Sequence, residues 1–204
     1  MKLQTFLIGL ISVLLLNGCA SPPNAPQPAT VTPDVMPRLD PSPTSSTSTL
    51  PLTCQVTDLN VYINEADGYC FAYPSRFTLG DQPSDKPEVR GPAVDDSVEP
   101  IHATLSVEVS PAATDETLRE QAEAYLKEFS VMDSATFRWS QIQVGREAAW
   151  NVEPIPAMLA YRIVFVQHRG SIFRLMYWPV DIPEAQADLN DLTQTTLGSF
   201  AFTK

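Results

Sequence analysis

Between Ile101 and Val109 the chain alternates without a break: Ile101, Ala103, Leu105, Val107 and Val109 fall on one face, and His102, Thr104, Ser106 and Glu108 on the other. A period of two over this length predicts a half-buried strand. Directly downstream the period lengthens. In TDETLREQAEAYLKEF, Leu118, Ala122, Tyr125, Leu126 and Phe129 form one stripe at helical spacing, with Thr114 in capping position and acids in the first turn. That pattern predicts an amphipathic helix. Upstream, LNVYINEADGYCFAYP holds two strand-like runs around Glu65-Ala66-Asp67-Gly68, a hairpin closed by Pro74. The segment from Gly80 to Pro100 carries too many prolines for a helix or central strand and predicts an exposed loop. Further strands are predicted over Ser140 to Val144, over Glu147 to Val152 and through both halves of YRIVFVQHRGSIFRLMYW. The last of these turns at His168-Arg169-Gly170-Ser171, which places His168 in an exposed turn. A second helix from about Pro183 to Leu197, with Ala185, Leu189, Leu192 and Thr196 on one side, and a short strand SFAFT close the chain.

Strands joined mostly by tight hairpins and interrupted by two amphipathic helices imply an α+β domain, an antiparallel β-sheet flanked by helices, over residues 54–204. Within it, GYCFAYPSRF (Gly68 to Phe77), VGREAAW (Val144 to Trp150), the RIVFVQHRGSIFRLMYW hairpin and the closing LGSFAF (Leu197 to Phe202) resemble the PsbP-like family. That family includes the extrinsic PsbP protein of photosystem II and mycobacterial LpqN-type lipoproteins. The resemblance implies an α/β/α sandwich and carries no catalytic residue, so it transfers fold more readily than function. Phe77 stands where the family often has tryptophan, and Cys70 where serine or another small residue is common.

The amino terminus is organised differently. A basic Lys2, an apolar run from about Phe6 to Leu16 and a small Gly18 form the zones of an export signal over residues 1–18. As a helix, Leu3 to Leu16 would rise only about 21 Å against a hydrocarbon core of about 30 Å, too short to span. Leu16, Asn17, Gly18 and Cys19 resemble the lipobox of bacterial lipoproteins. The resemblance implies cleavage before Cys19, a thioether to diacylglycerol on its sulfur and an acyl chain such as palmitate on the freed amine. Residues 19–53 are dense in Pro, Ser and Thr and cannot bury a core. They predict a disordered tether that reaches up to ~100 Å when extended and ~30 Å as a coil. The expected address is the extracytoplasmic face of the cell membrane, or the outer membrane where the cell has one.

Charge narrows the partners. The formal net charge of −11, without a Lys/Arg cluster, argues against nucleic acid and against adhesion to anionic lipid other than through the anchor. With Cys19 assigned to lipid, Cys54 and Cys70 remain, in a compartment that permits disulfides. They are either bridged or two independent thiols; a bridge requires the chain before Asp58 to fold back, because a straight hairpin sets Cys70 opposite Tyr62 and leaves Cys54 roughly 26 Å away.

For chemistry, no nucleophile elbow and no C-x-x-C pair is present. His102 with Asp95, Asp96 and Glu99 offers a candidate metal or partner surface, though no established ligand spacing is met and these acids serve equally as solvated charge. Tyr161, Phe165, Phe173, Tyr177 and Trp178 alternate through the central hairpin, either as core or, on a face left uncovered, as an apolar groove. No cofactor is expected. The function these features favour is a non-enzymatic binding or accessory module for a protein complex; the alternative is a carrier of a small apolar ligand held between sheet and helix.

Overall fold

The computed structural model describes residues 51–80, 86–95, 98–129 and 137–203, so the expected signal, Cys19 and most of the tether lie outside the described residues. A short 3₁₀ turn, Leu52–Cys54, leads into the hairpin of β1 (Leu59–Asn64) and β2 (Tyr69–Pro74). Its turn is built as the sequence implies: the Asn64 side chain accepts from the Asp67 N–H and donates to its carboxylate, both at 2.9 Å, while Gly68 takes φ 70°. The register sets Cys70 opposite Ile63, one residue from the expected Tyr62. The chain before β1 does fold back, and the Cys54 and Cys70 sulfurs stand at disulfide distance with Cα atoms 6.3 Å apart.

The larger sheet has seven strands. In chain order they are β3 (Thr78–Leu79), β4 (Glu88–Ala93), β5 (His102–Pro111), β6 (Arg138–Val144), β7 (Glu147–Ile155), β8 (Tyr161–His168) and β9 (Ser171–Trp178); across the sheet they run β3-β4-β5-β9-β8-β7-β6. All pairings are antiparallel. The β6–β7 and β8–β9 turns each take two residues at positive φ, Gly145-Arg146 and Arg169-Gly170, the combination that matches strand twist in two-residue hairpins.

The expectation of a loop over Gly80 to Pro100 is corrected by β4. Val89 enters the core fully buried, and Gly91 sits so close to Phe77 that a Cβ there would lie 2.7 Å from the ring. Proline is tolerated because β3 is only two residues long and covers little of β4's outer edge, and because Pro92 falls in the register shift between Arg90 and Ala93.

Helix α1 (Leu118–Phe129) starts later than expected, with Thr117 rather than Thr114 as its cap. The Thr117 hydroxyl accepts from the Glu120 N–H at 3.3 Å, and the Glu120 carboxylate accepts from the Thr117 N–H at 2.8 Å, a reciprocal capping box. The Thr117 N–H, and then the Thr117 hydroxyl donating to the same carboxylate at 2.8 Å, hold the Glu120 carboxyl below the usual range. Replacing Thr117 by Ala should cost about 1 kcal/mol of stability, read as a lower urea midpoint; an unchanged midpoint would mean that tertiary packing alone holds this end.

Helix α2 (Gln186–Ser199) buries Leu189, Leu192 and Thr196, and Ala185 just ahead of it is also buried. After it, β10 (Ala201–Phe202) pairs with β2, completing a three-stranded sheet β1-β2-β10. The inner face of the large sheet, with Leu105, Val107, Val164, Val166, Phe173, Leu175 and Tyr177, packs against Tyr69 and Phe71 of β2, Phe200, and Leu189 and Leu192 of α2. Its outer face, with Val152, Ile163, Phe165, Ile172 and Met176, packs against Ala122 and Leu126 of α1. One helix therefore lies on each face, an α+β layered domain.

Candidate functional site

Helix α1 has twelve residues, about 18 Å of rise, whereas seven strands at about 4.8 Å spacing extend near 29 Å across. It cannot cover the whole outer face. The polar side of β5 takes the remainder: Thr104, Ser106 and Glu108 fall in register with Trp178, Met176 and Arg174 of β9, Thr104 and Ser106 also with Arg90 and Glu88 of β4, and His102 with Ala93. The middle of this surface is closed by charge pairing. Glu108 forms ion pairs with Lys86 at 3.6 Å and with Arg174 at 3.4 Å, and the Arg174 guanidinium lies 4.6 Å above the Tyr125 ring.

At the end of the sheet where β4 and β9 finish, a cleft of about 400 Å³ is lined by Glu88, Arg90, Glu99, His102, Thr104, Met158, Leu159 and Trp178. Two groups separate in the sequence analysis, the acid and His102 set and the aromatic set, meet here through Glu99, His102 and Trp178. The Nδ1–H of His102 donates to the Gly91 carbonyl at 2.9 Å, which orients the ring and leaves Nε2 as an acceptor. Asp95 is turned to the backbone, its carboxylate accepting from the Ile101 N–H at 3.4 Å, and Asp96 lies outside the described residues. Among the described residues no three His, Cys, Asp or Glu side chains come together as a metal site.

The aromatic groove is corrected by strand alternation. Phe173 and Tyr177 face inward to the core, Phe165 lies beneath α1 with its ring 5.8 Å from Tyr125, and only Tyr161 and Trp178 stay part-exposed, their rings 5.3 Å apart. The layer between large sheet and α2, where the alternative reading puts a carried ligand, is packed with the aromatic and leucine side chains named above.

Burial pushes the Tyr69 and Tyr177 phenols far up, and raises those of Tyr73, Tyr125 and Tyr161 as well. These hydroxyls stay protonated at neutral pH. Because the folded state resists losing protons that the unfolded chain gives up near pH 10, stability should be intact below that value and fall as pH rises above it. The share of tyrosinate absorbance from Tyr69 and Tyr177 should therefore appear only with loss of the circular dichroism signal; full titration of all tyrosines in a still-folded chain would contradict their burial.

A second cleft of about 520 Å³ lies at the opposite end of the sheet, lined by Leu118, Gln141, Glu147, Trp150 and His168. His168 is not the exposed turn residue expected. Its side chain is 19% exposed, its Nδ1 is 2.9 Å from a Glu147 carboxylate oxygen, and its ring stacks on Phe202 at 4.1 Å. Beside it, Arg119 lies 3.4 Å over Trp139 and 5.0 Å from Trp150 while pairing with Glu123, so both indoles are already capped.

Sequence reasoning missed Met158 and Leu159. Their signal is the apolar triplet Ala157-Met158-Leu159 between two strands, where a β7–β8 connection would ordinarily be polar. Met158 is 97% exposed.

No protein-family model and no curated protein matches the sequence. Solved structures give likenesses of fold. The solution structure of cyanobacterial PsbP (CyanoP) from Synechocystis sp. PCC 6803 is 17% identical with a TM-score of 0.48, covering 72% of this chain and 94% of that one. A crystal structure from Bacteroides thetaiotaomicron VPI-5482 is 10% identical with a TM-score of 0.45, covering 72% of this chain and half of that one.

Proposed function

We propose that this chain is an extracytoplasmic lipoprotein, cut before Cys19 and anchored there by lipid, whose domain over residues 54–204 is a non-enzymatic accessory module that binds a protein of a membrane-associated complex. One geometric observation supports the reading above others: the chain joins the domain at one end of the large sheet and exposes its cleft at the other. Pro51 and Leu52 lie beside the β6–β7 turn, with Gly145, Arg146 and Phe202. Met158, His102 and Trp178 sit at the far ends of the same strands, about 23 Å away along an eight-residue strand. A tether that enters at one end leaves the opposite end free to face outward. No helix among the described residues is long and apolar enough to cross a membrane.

Two measurements on the producing cells test this. The wild-type chain should fractionate with membranes and carry metabolically incorporated palmitate, whereas Cys19→Ala should lose the label and, if exported, leave the membrane fraction. Crosslinking on intact cells should give a reproducible protein neighbour. A small apolar molecule copurifying at one per chain, with no neighbour captured, would overturn the accessory reading in favour of a carrier.

A further inference from the structure

We infer that the Met158–Trp178–Glu99 cleft docks an extended segment of a protein partner in which a Lys or Arg neighbours a large apolar side chain. This rests on the accessory-module reading and names its surface.

The apolar half of the argument is Met158. A thioether side chain 97% exposed at a loop tip contributes nothing to the isolated domain's core, yet it stands beside the part-exposed Trp178 and Leu159 in one concavity. Flexible methionine next to a flat indole adapts to varied apolar side chains. The volume, about 400 Å³, is at the low end for a binding pocket and fits a short run of side chains rather than a broad face.

Charge supplies the other half. Arg90, the cation lining the cleft, is bound by the Glu88 carboxylate. Glu99 has no partner among the described residues, and Nε2 of His102 is left as an acceptor by the bond its Nδ1–H makes to Gly91. With Glu88 and Arg90 paired, Glu99 leaves the wall with a net negative charge, on a chain of net charge −11. A cationic donor answers both the local chemistry and the long-range field, while an acidic segment is repelled by each.

The test has two arms. In the first, a random-peptide display library is selected on the full-length lipidated chain in detergent. Recovered peptides should carry Lys or Arg within two residues of a large apolar side chain and bind less tightly as salt rises. Glu99→Lys and Met158→Ser should each weaken them at least tenfold with circular dichroism unchanged, and Leu52→Ser should change binding less than twofold. Failure to enrich any peptide, enrichment of acidic ones, or binding indifferent to both cleft variants would overturn the inference. In the second arm, a photoreactive amino acid is placed at Met158 or at Leu52 in the producing cells. Capture at Met158 that Glu99→Lys abolishes supports the cleft. Capture at Leu52 alone overturns the cleft while leaving the accessory reading standing, and capture at neither site overturns both.

Discussion

Phe173→Ala is expected to lower the folding free energy by about 4 kcal/mol, the upper part of the range for emptying a buried aromatic site. The residue is 1% exposed in the middle of β9, flanked across the sheet by Val109 and Val166. More important is what its ring joins. It meets Tyr69 of the small sheet edge-on at 5.6 Å, Phe200 at 6.3 Å and Phe202 of β10 at 5.1 Å. The large sheet, the small sheet and the segment that ends the fold thus share one aromatic contact. Tyr69 and Phe71 stack on Phe200 at interplanar angles of 8° and 7°, so the neighbours form a rigid set that cannot relax into the vacated space. A cavity term therefore adds to the lost transfer free energy. Urea unfolding should show a lower midpoint with unchanged slope, and hydrogen exchange should rise first at Ala201 and Phe202. A loss under 1 kcal/mol would mean that the two sheets are held together elsewhere.

Local chemistry explains which parts of this architecture were legible in the sequence. The β1–β2 and β8–β9 hairpins were readable because Asp67-Gly68 and Arg169-Gly170 supply the turn conformations and the alternating runs on either side fix the faces. Helix α2 was readable because Ala185, Leu189, Leu192 and Thr196 recur on one side. The division into two sheets was not, because the pairing of Ala201 with Cys70 joins segments with no short-range signal between them. Strand β4 was hidden by Pro87 and Pro92, whose cost disappears only when the neighbouring strand is known to be two residues long. The cleft was half legible. Glu99 and His102 were grouped by closeness in sequence, whereas Trp178 joins them only through the β5–β9 register that sets it against Thr104. Met158 was passed over because a single exposed apolar side chain is ordinary until a cleft is found beside it.

Removing the cysteine pair tests the anchoring end in the same way that Phe173 tests the core. Cys54→Ala with Cys70→Ala should destabilise the full chain by about 3 kcal/mol through loop entropy, since the two positions are 16 residues apart, and should lower Tm by roughly 6–12 °C for a domain of this size. Both side chains are buried, so the pair also contributes packing. The consequence is local as well as global. Cys54 closes the 3₁₀ turn that follows Pro51, and Cys70 lies in β2 opposite both Ile63 of β1 and Ala201 of β10. A bridge between them would tie the point at which the tether joins to the centre strand of the small sheet, beside the carboxyl end of α2. Without it, this end would be held by the packing of the Leu52–Cys54 turn on β2 and α2, the turn itself being closed by Pro51–Cys54 and Leu52–Gln55 backbone bonds of 2.9 and 3.0 Å. Proteolysis should consequently begin near Leu52 in the double variant while the rest of the domain stays protected, and reductant should reproduce the effect in the wild-type chain. Alkylation of two thiols in the unreduced wild type, with a Tm insensitive to reductant, would show that the cysteines are free and that packing alone holds this end.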